Sequence, residues 1–152
     1  MTTIESVPTI TSAGKGECLA FFGEQFTIKI SGEQTGGAYA VCEVITPPGG
    51  GPPPHVHDRE DEVFIVQSGA LRILANGQWH EVSPGDVVFA PRNQPHAYHN
   101  QGIEPCRFWL MVSPAGFENF YRELSTDAAN TGAPDINRLR AIAERHGIHL
   151  ME

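Results

Sequence analysis

Two histidines, His55 and His57, stand two residues apart, and Glu62 follows after the charged run Asp58-Arg59-Glu60-Asp61. Side chains alternate along an extended strand, so both imidazoles point to one face, an arrangement that suits two ligands on one metal ion. Taken alone the pair carries little weight, because seven His in 152 residues give about 0.3 such pairs by chance. Glu62 lies an odd number of residues from both, so a regular strand would put it on the opposite face. A turn or bulge in the charged run would return the carboxylate to the imidazole side.

The elements that must hold these residues read as strands. Apolar and polar residues alternate from Glu17 to Val112: Phe26, Ile28 and Ile30 against Thr27 and Lys29, then Tyr39 to Ile45. Further strands are expected at Glu62 to Gln67, Ala70 to Ala75, Gln78 to Val82, Asp86 to Ala90, His96 to His99 and Cys106 to Val112. Asn76-Gly77 is the clearest turn between them, since a two-residue hairpin of type I′ needs positive φ at both central positions. The stretch PPGGGPPP before His55 lacks ladder donors and forms a shaped loop. Beyond Val112 the period changes. Ser113-Pro114 resembles an N-cap with proline at the first helical position, leading into AGFENFYREL; Ser125 to Ala133 reads as a polar loop; Ile136, Leu139, Ile142 and Ala143 recur at helical spacing until Gly147.

With 152 residues, 40% of them hydrophobic and 18% charged, the chain is sized for one domain, an all-β body with two terminal helices. A formal charge of -8 repels phosphate backbones and anionic headgroups, so neither nucleic acid nor membrane is an expected partner. Neither a signal nor a spanning segment is evident, and a cytoplasmic location is expected. Cys18, Cys42 and Cys106 have no CxxC spacing and sit in apolar stretches, so they are expected to be reduced core residues.

Two motifs give the histidines their context. Gly49, His55, His57, Glu62 and Gly69 fit G-x5-H-x-H-x4-E-x6-G, and Gly85, Pro91, His96 and Asn100 fit G-x5-P-x-G-x2-H-x3-N. In these motifs the chain resembles a single-domain cupin. Asn93 stands where the second motif has glycine, and asparagine tolerates the left-handed conformation better than most residues. The resemblance implies a double-stranded β-helix barrel, a jelly roll, over about residues 16–112, a helical tail over about 113–152, and a homodimer. It also implies that His55, His57, Glu62 and His96 bind one divalent metal ion. Three imidazoles and one carboxylate suit Fe, Mn, Ni, Co, Cu or Zn better than calcium or magnesium, and leave coordination positions for substrate or oxygen. A hydrogen-bonded cluster without metal would carry a heavy desolvation burden. His80, His99, His146 and His149 are read as ordinary polar residues, with His99 a candidate partner to a ligand.

GGGPPPHVHDREDEVFIVQSG, PRNQPHAYHN, SPAGFENFYREL and AIAERHGI also resemble the small bacterial cupins grouped with flavonol-cleaving dioxygenases, the quercetinases. That likeness implies a dioxygenase acting on a small enolizable aromatic substrate with O2, Glu62 serving as ligand and base. Of the aromatics on expected strands (Phe26, Tyr39, Phe64, Phe89, Phe108, Trp109), Phe64 shares strand parity with Glu62. Tyr98 shares it with His96, so these two are the expected substrate contacts. Phe117, Phe120 and Tyr121 are expected to pack on the barrel wall. The rivals are a metal-dependent isomerase or lyase and a non-enzymatic module that binds a small ligand. A phosphosugar substrate would need converging cations, and Arg59, Arg72, Arg92 and Arg107 are not tied by spacing to the motif residues.

Overall fold

A computed structural model describes residues 5–132 and 135–151. The strands are β1 (Glu17–Phe21), β2 (Glu24–Ile30), β3 (Ala40–Thr46), β4 (His55–His57), β5 (Asp61–Ser68), β6 (Leu71–Ala75), β7 (Gln78–Val82), β8 (Val87–Ala90), β9 (Ala97–His99) and β10 (Cys106–Ser113). Helices α1 (Phe117–Thr131) and α2 (Ile136–Arg145) follow, then a short β11 (Ile148–Leu150). A six-stranded antiparallel sheet runs β1-β2-β3-β10-β5-β8, a three-stranded sheet runs β7-β6-β9, and β11 pairs with β4.

The alternation legible in the chain becomes the core. Phe108 of β10 lies opposite Val44 and Val66, Leu110 opposite Cys42 and Phe64, and Val112 opposite Ala40 and Glu62. All of these residues are buried, so Glu62 occupies a core position on the inner face of the large sheet. Rings of Phe64 and Phe108 meet Tyr98 of β9, which closes the space between the two larger sheets. The outer face leaves Val87 and Phe89 at 63% exposure, so Phe89 points away from the core.

Asn76 and Gly77 sit at φ 53° and 74° between β6 and β7, as a type I′ turn requires, and Asn93 takes the left-handed conformation at φ 65°. Other expectations are corrected. Residues Ser125 to Thr131 are helical rather than a loop, because Leu124 and Ala128 continue the apolar stripe begun by Phe117, Phe120 and Tyr121. The hydroxyls of Thr126 and Thr131 bond back to carbonyls one turn earlier, which satisfies them within the helix; Ala133 lies outside the described residues. Ser113 is no N-cap: it ends β10 and its hydroxyl donates to Ala38 O, while the cap position falls to Gly116. Tyr39 precedes β3 rather than lying on it. Cys18 is exposed because β1 is an edge strand, whereas Cys42 and Cys106 are buried, all three as free thiols. Among the described residues no helix is long and apolar enough to cross a membrane.

The Pro/Gly loop is pressed onto the barrel. Gly49 N donates to Asn100 O and Asn100 N donates to Gly50 O, while the fully buried Asn100 side chain holds Thr46 O and Glu104 O. Gly51 lies at φ 141°, where an added Cβ would fall 2.1 Å from Tyr98 O. Gly51→Ala is therefore expected to destabilise the fold by more than about 2 kcal/mol. Gly36→Ala, at positive φ but in open space, is expected to cost only about 1 kcal/mol. Urea unfolding of both variants checks the difference.

Candidate metal centre

Backbone pairing brings the chemical groups together. His55 and His96 exchange two backbone hydrogen bonds of 3.0 Å, which sets their rings side by side with centroids 4.5 Å apart. His96 thus meets His55 in an isolated bridge just ahead of β9, rather than starting that strand. His57 follows His55 on the same face, its ring 5.4 Å from that of His96. The charged run breaks the strand between β4 and β5, which resets the alternation and points Glu62 inward. Each of His55, His57, Glu62 and His96 offers one ligand atom, these atoms all lie within 4.8 Å of one another, and all four residues are buried.

The outward nitrogens are anchored. His55 Nδ1 donates to Pro53 O at 2.8 Å, His96 Nδ1 to Gln94 O at 3.2 Å, and His57 Nδ1 reaches Glu60 Oε2 at 3.3 Å. For His55 and His57, a proton held on Nδ1 leaves the Nε2 lone pair for the interior. Glu60 was visible in the sequence only as part of the charged run; its spacing of three from His57 was the available signal, and its burial to 4% exposure marks it as a partner.

Inside the cluster the groups crowd one another. Burial, with repulsion from His96 and His57, pushes the His55 imidazolium down to about 3, so His55 is neutral. Burial acts to raise Glu62, but its proximity to His57 and its hydrogen bond with His96 outweigh it and hold the carboxyl at about 2. For His96 burial acts to lower the pKa, and the Glu62 partner overrides it to give a net rise. His96 Nε2 lies 2.5 Å from Glu62 Oε2. His57 Nε2 is 3.4 Å from the same oxygen, yet this buried atom has no hydrogen-bond partner. An orphaned buried lone pair beside an ionised carboxylate fits a cation, and the three nitrogens and one oxygen fit a borderline transition metal.

A cavity of about 230 Å³ adjoins the cluster, lined by His55, His57, Glu62, Phe64 and Tyr98 among others. Phe117, Phe120 and Tyr121 pack on the barrel and also line this cavity, Tyr121 stacking 3.9 Å from Phe26. The Tyr98 hydroxyl is engaged, donating at 2.9 Å to Glu24, a buried carboxylate that also accepts from Thr46 at 2.7 Å. Glu24 was not singled out in the sequence; the two-residue turn Phe22-Gly23, both at positive φ, was the signal for the hairpin that delivers it. Burial raises its pKa against those two hydrogen bonds. The remaining histidines lie elsewhere: His80 is exposed on β7, His146 pairs with Glu123 and His149 with Asp58. His99 faces Arg72 across β6 and is not among the partners of the cluster.

Residues 42–113 match the family described as Cupin domain. These residues form a cupin domain. The chain is 27% identical over 119 residues to the quercetin 2,3-dioxygenase of Bacillus subtilis (strain 168), a match that covers 78% of this chain and 35% of that protein. It is also 34% identical over 76 residues to a Myxococcus xanthus (strain DK1622) protein named endoribonuclease YbeY, covering 50% of this chain and 26% of that one. The chain thus spans about a third and a quarter of the lengths of these two curated relatives. The structure of KdgF from Halomonas sp. shares the fold, with a TM-score of 0.66 at 20% identity over 74% of this chain and 99% of that one.

Each cupin chain is expected to take up about one divalent transition metal ion, to melt higher when loaded, and to release the ion on acidification because imidazolium has no free lone pair. His96→Ala is expected to abolish tight uptake, and Glu60→Ala to weaken it by about 10–100-fold, while His80→Ala and His146→Ala leave it unchanged. Elemental analysis with competitive chelator titration checks all four variants.

Proposed function

We propose that this cupin is a metal-dependent dioxygenase that acts on a small enolizable aromatic compound such as a flavonol, with His55, His57, Glu62 and His96 holding one divalent ion. The observation that carries the reading is that His55, His57 and Glu62 of the four-residue cluster border a cavity walled by aromatic rings, with Phe64 and Tyr98 beside them. The similarity to a quercetin 2,3-dioxygenase points the same way.

A divalent transition metal at this site would supply a Lewis acid for an enolate oxygen and, where redox-active, a path for electrons to dioxygen. The chain does the rest. Glu62 is ionised at neutral pH, the protonation state a base needs, and its contacts with His57 and His96 both run through Oε2. Oε1 is left to accept the proton of a substrate hydroxyl. The rings of Phe64, Phe117 and Tyr121 offer an apolar seat that keeps water from the deprotonated substrate.

The phosphosugar rival finds no support in the charges. Among the described residues no Lys or Arg lines the cavity; Arg59 meets Asp58, Arg92 meets Asp61, Arg107 meets Glu43, and Arg72 lies over Trp79. Oxygen uptake by the metal-loaded protein, screened with flavonols, catechols and diketones, tests the proposal. Uptake with an enolizable aromatic is expected, and Glu62→Gln is expected to lower single-turnover rate by roughly 10² or more at matched metal content. Binding of such compounds without oxygen uptake would favour the binding-module reading instead.

A further inference from the structure

The cavity holds a second polar feature that the metal site does not use. Glu24 opens β2 directly after the Phe22-Gly23 turn, and its partner across the hairpin is Phe21. On the neighbouring strand Thr46 donates to Oε1, and from the facing sheet Tyr98 donates to Oε2. A carboxylate has about four lone-pair sites on its two oxygens, so these two hydroxyls fill about half of its capacity. Among the described residues no cation pairs with Glu24.

Its surroundings make that arrangement costly unless another donor completes it. Glu24 is only 7% exposed, and the cavity wall around it is built from Phe21, Phe22, Phe26, Phe117, Phe120 and Tyr121. An ionised carboxylate in apolar surroundings forfeits hydration worth several kcal/mol, and two neutral hydroxyls return part of it. A ligand that brings an apolar ring and one more O–H group meets both demands. The ring stacks among the aromatic side chains while the hydroxyl donates to a charged acceptor, the stronger kind of hydrogen bond. A ligand ether or bare ring edge would strand the carboxylate, so discrimination between hydroxyl and ether is steep at such a site.

We infer that Glu24 is a specificity-determining residue, the acceptor for a hydroxyl carried on the aromatic ring of the ligand, and that it sets which end of the ligand faces the histidine cluster. This rests on the reading of the cavity as the substrate site and narrows the substrate class to hydroxylated aryl compounds. Thr46 and Tyr98 act through Glu24: they position its oxygens, and Tyr98 itself does not recognise the ligand hydroxyl.

The test is direct binding to the full chain as purified, under nitrogen, with 2-naphthol and 2-methoxynaphthalene as probes followed by their own fluorescence. The wild-type protein is expected to prefer the naphthol by about tenfold or more. Glu24→Leu is expected to abolish that preference by weakening naphthol and sparing the ether; Glu24→Gln, which keeps the shape and folds where the leucine variant does not, is expected to reduce it several-fold. Tyr98→Phe is expected to retain the preference, since the carboxylate remains. Equal binding of the two probes to wild type, binding of neither, or a preference unchanged in both Glu24 variants overturns the inference. Oxygen uptake plays no part in this experiment, so a failure here strikes the Glu24 assignment, whereas absence of turnover strikes the dioxygenase reading alone.

Discussion

Four buried groups whose ligand atoms lie within 4.8 Å of one another form the constraint on which the rest of this structure depends. Three imidazoles and a carboxylate taken from water forfeit hydration that apolar neighbours cannot replace. The scaffold answers this on the outer side only, where two carbonyls and Glu60 hold the Nδ1 atoms. On the inner side His57 Nε2 is left without a partner and His96 is pressed against Glu62. That asymmetry separates a centre built to take a cation from a polar network satisfied within itself, in which every buried group would be paired.

Such a centre works only if its groups are held firmly, and the topology supplies that. Glu62 lies within β5, bonded on one side to β8 and on the other to β10. The three-residue strand β4 would be weak alone, but His55 is bridged to His96 and the whole strand pairs with β11. Pairing with β11 ties the C-terminal segment to the histidine-bearing strand β4, and Phe117 makes a T-shaped contact with the His57 ring, centroids 4.8 Å apart. The helices that wall the cavity are therefore coupled mechanically to the centre they cover.

Charge is distributed unevenly between the surface and the cavity. Several arginines are taken up by surface carboxylates, among them Arg122 by Glu17 and Arg92 by Asp61. The cavity keeps two carboxylates, Glu62 and Glu24, against no lysine or arginine among the described residues. The net charge over the whole chain, -8, has the same sign as these two carboxylates.

The sequence by itself determined the strand pattern and the Asn76-Gly77 hairpin, because each is written in local chemistry, alternation of period two and a pair of positive-φ positions; the four clustered residues were legible through the resemblance of their spacing to the cupin motifs. It also placed Phe64 beside Glu62 by parity. It could not show that Ser125 to Thr131 continue a helix, since their polarity reads as loop until Leu124 and Ala128 find a surface to cover. Nor could it show β11, whose three residues acquire strand geometry only by pairing with β4, or the exposure of Cys18, which follows from an edge position. The roles of Glu60 and Glu24 were likewise decided by tertiary structure alone. Each is an unremarkable glutamate in the chain: Glu60 becomes a partner of His57 where the break between β4 and β5 folds it into the interior, and Glu24 becomes a wall of the cavity because Thr46 and Tyr98 on other strands enclose it.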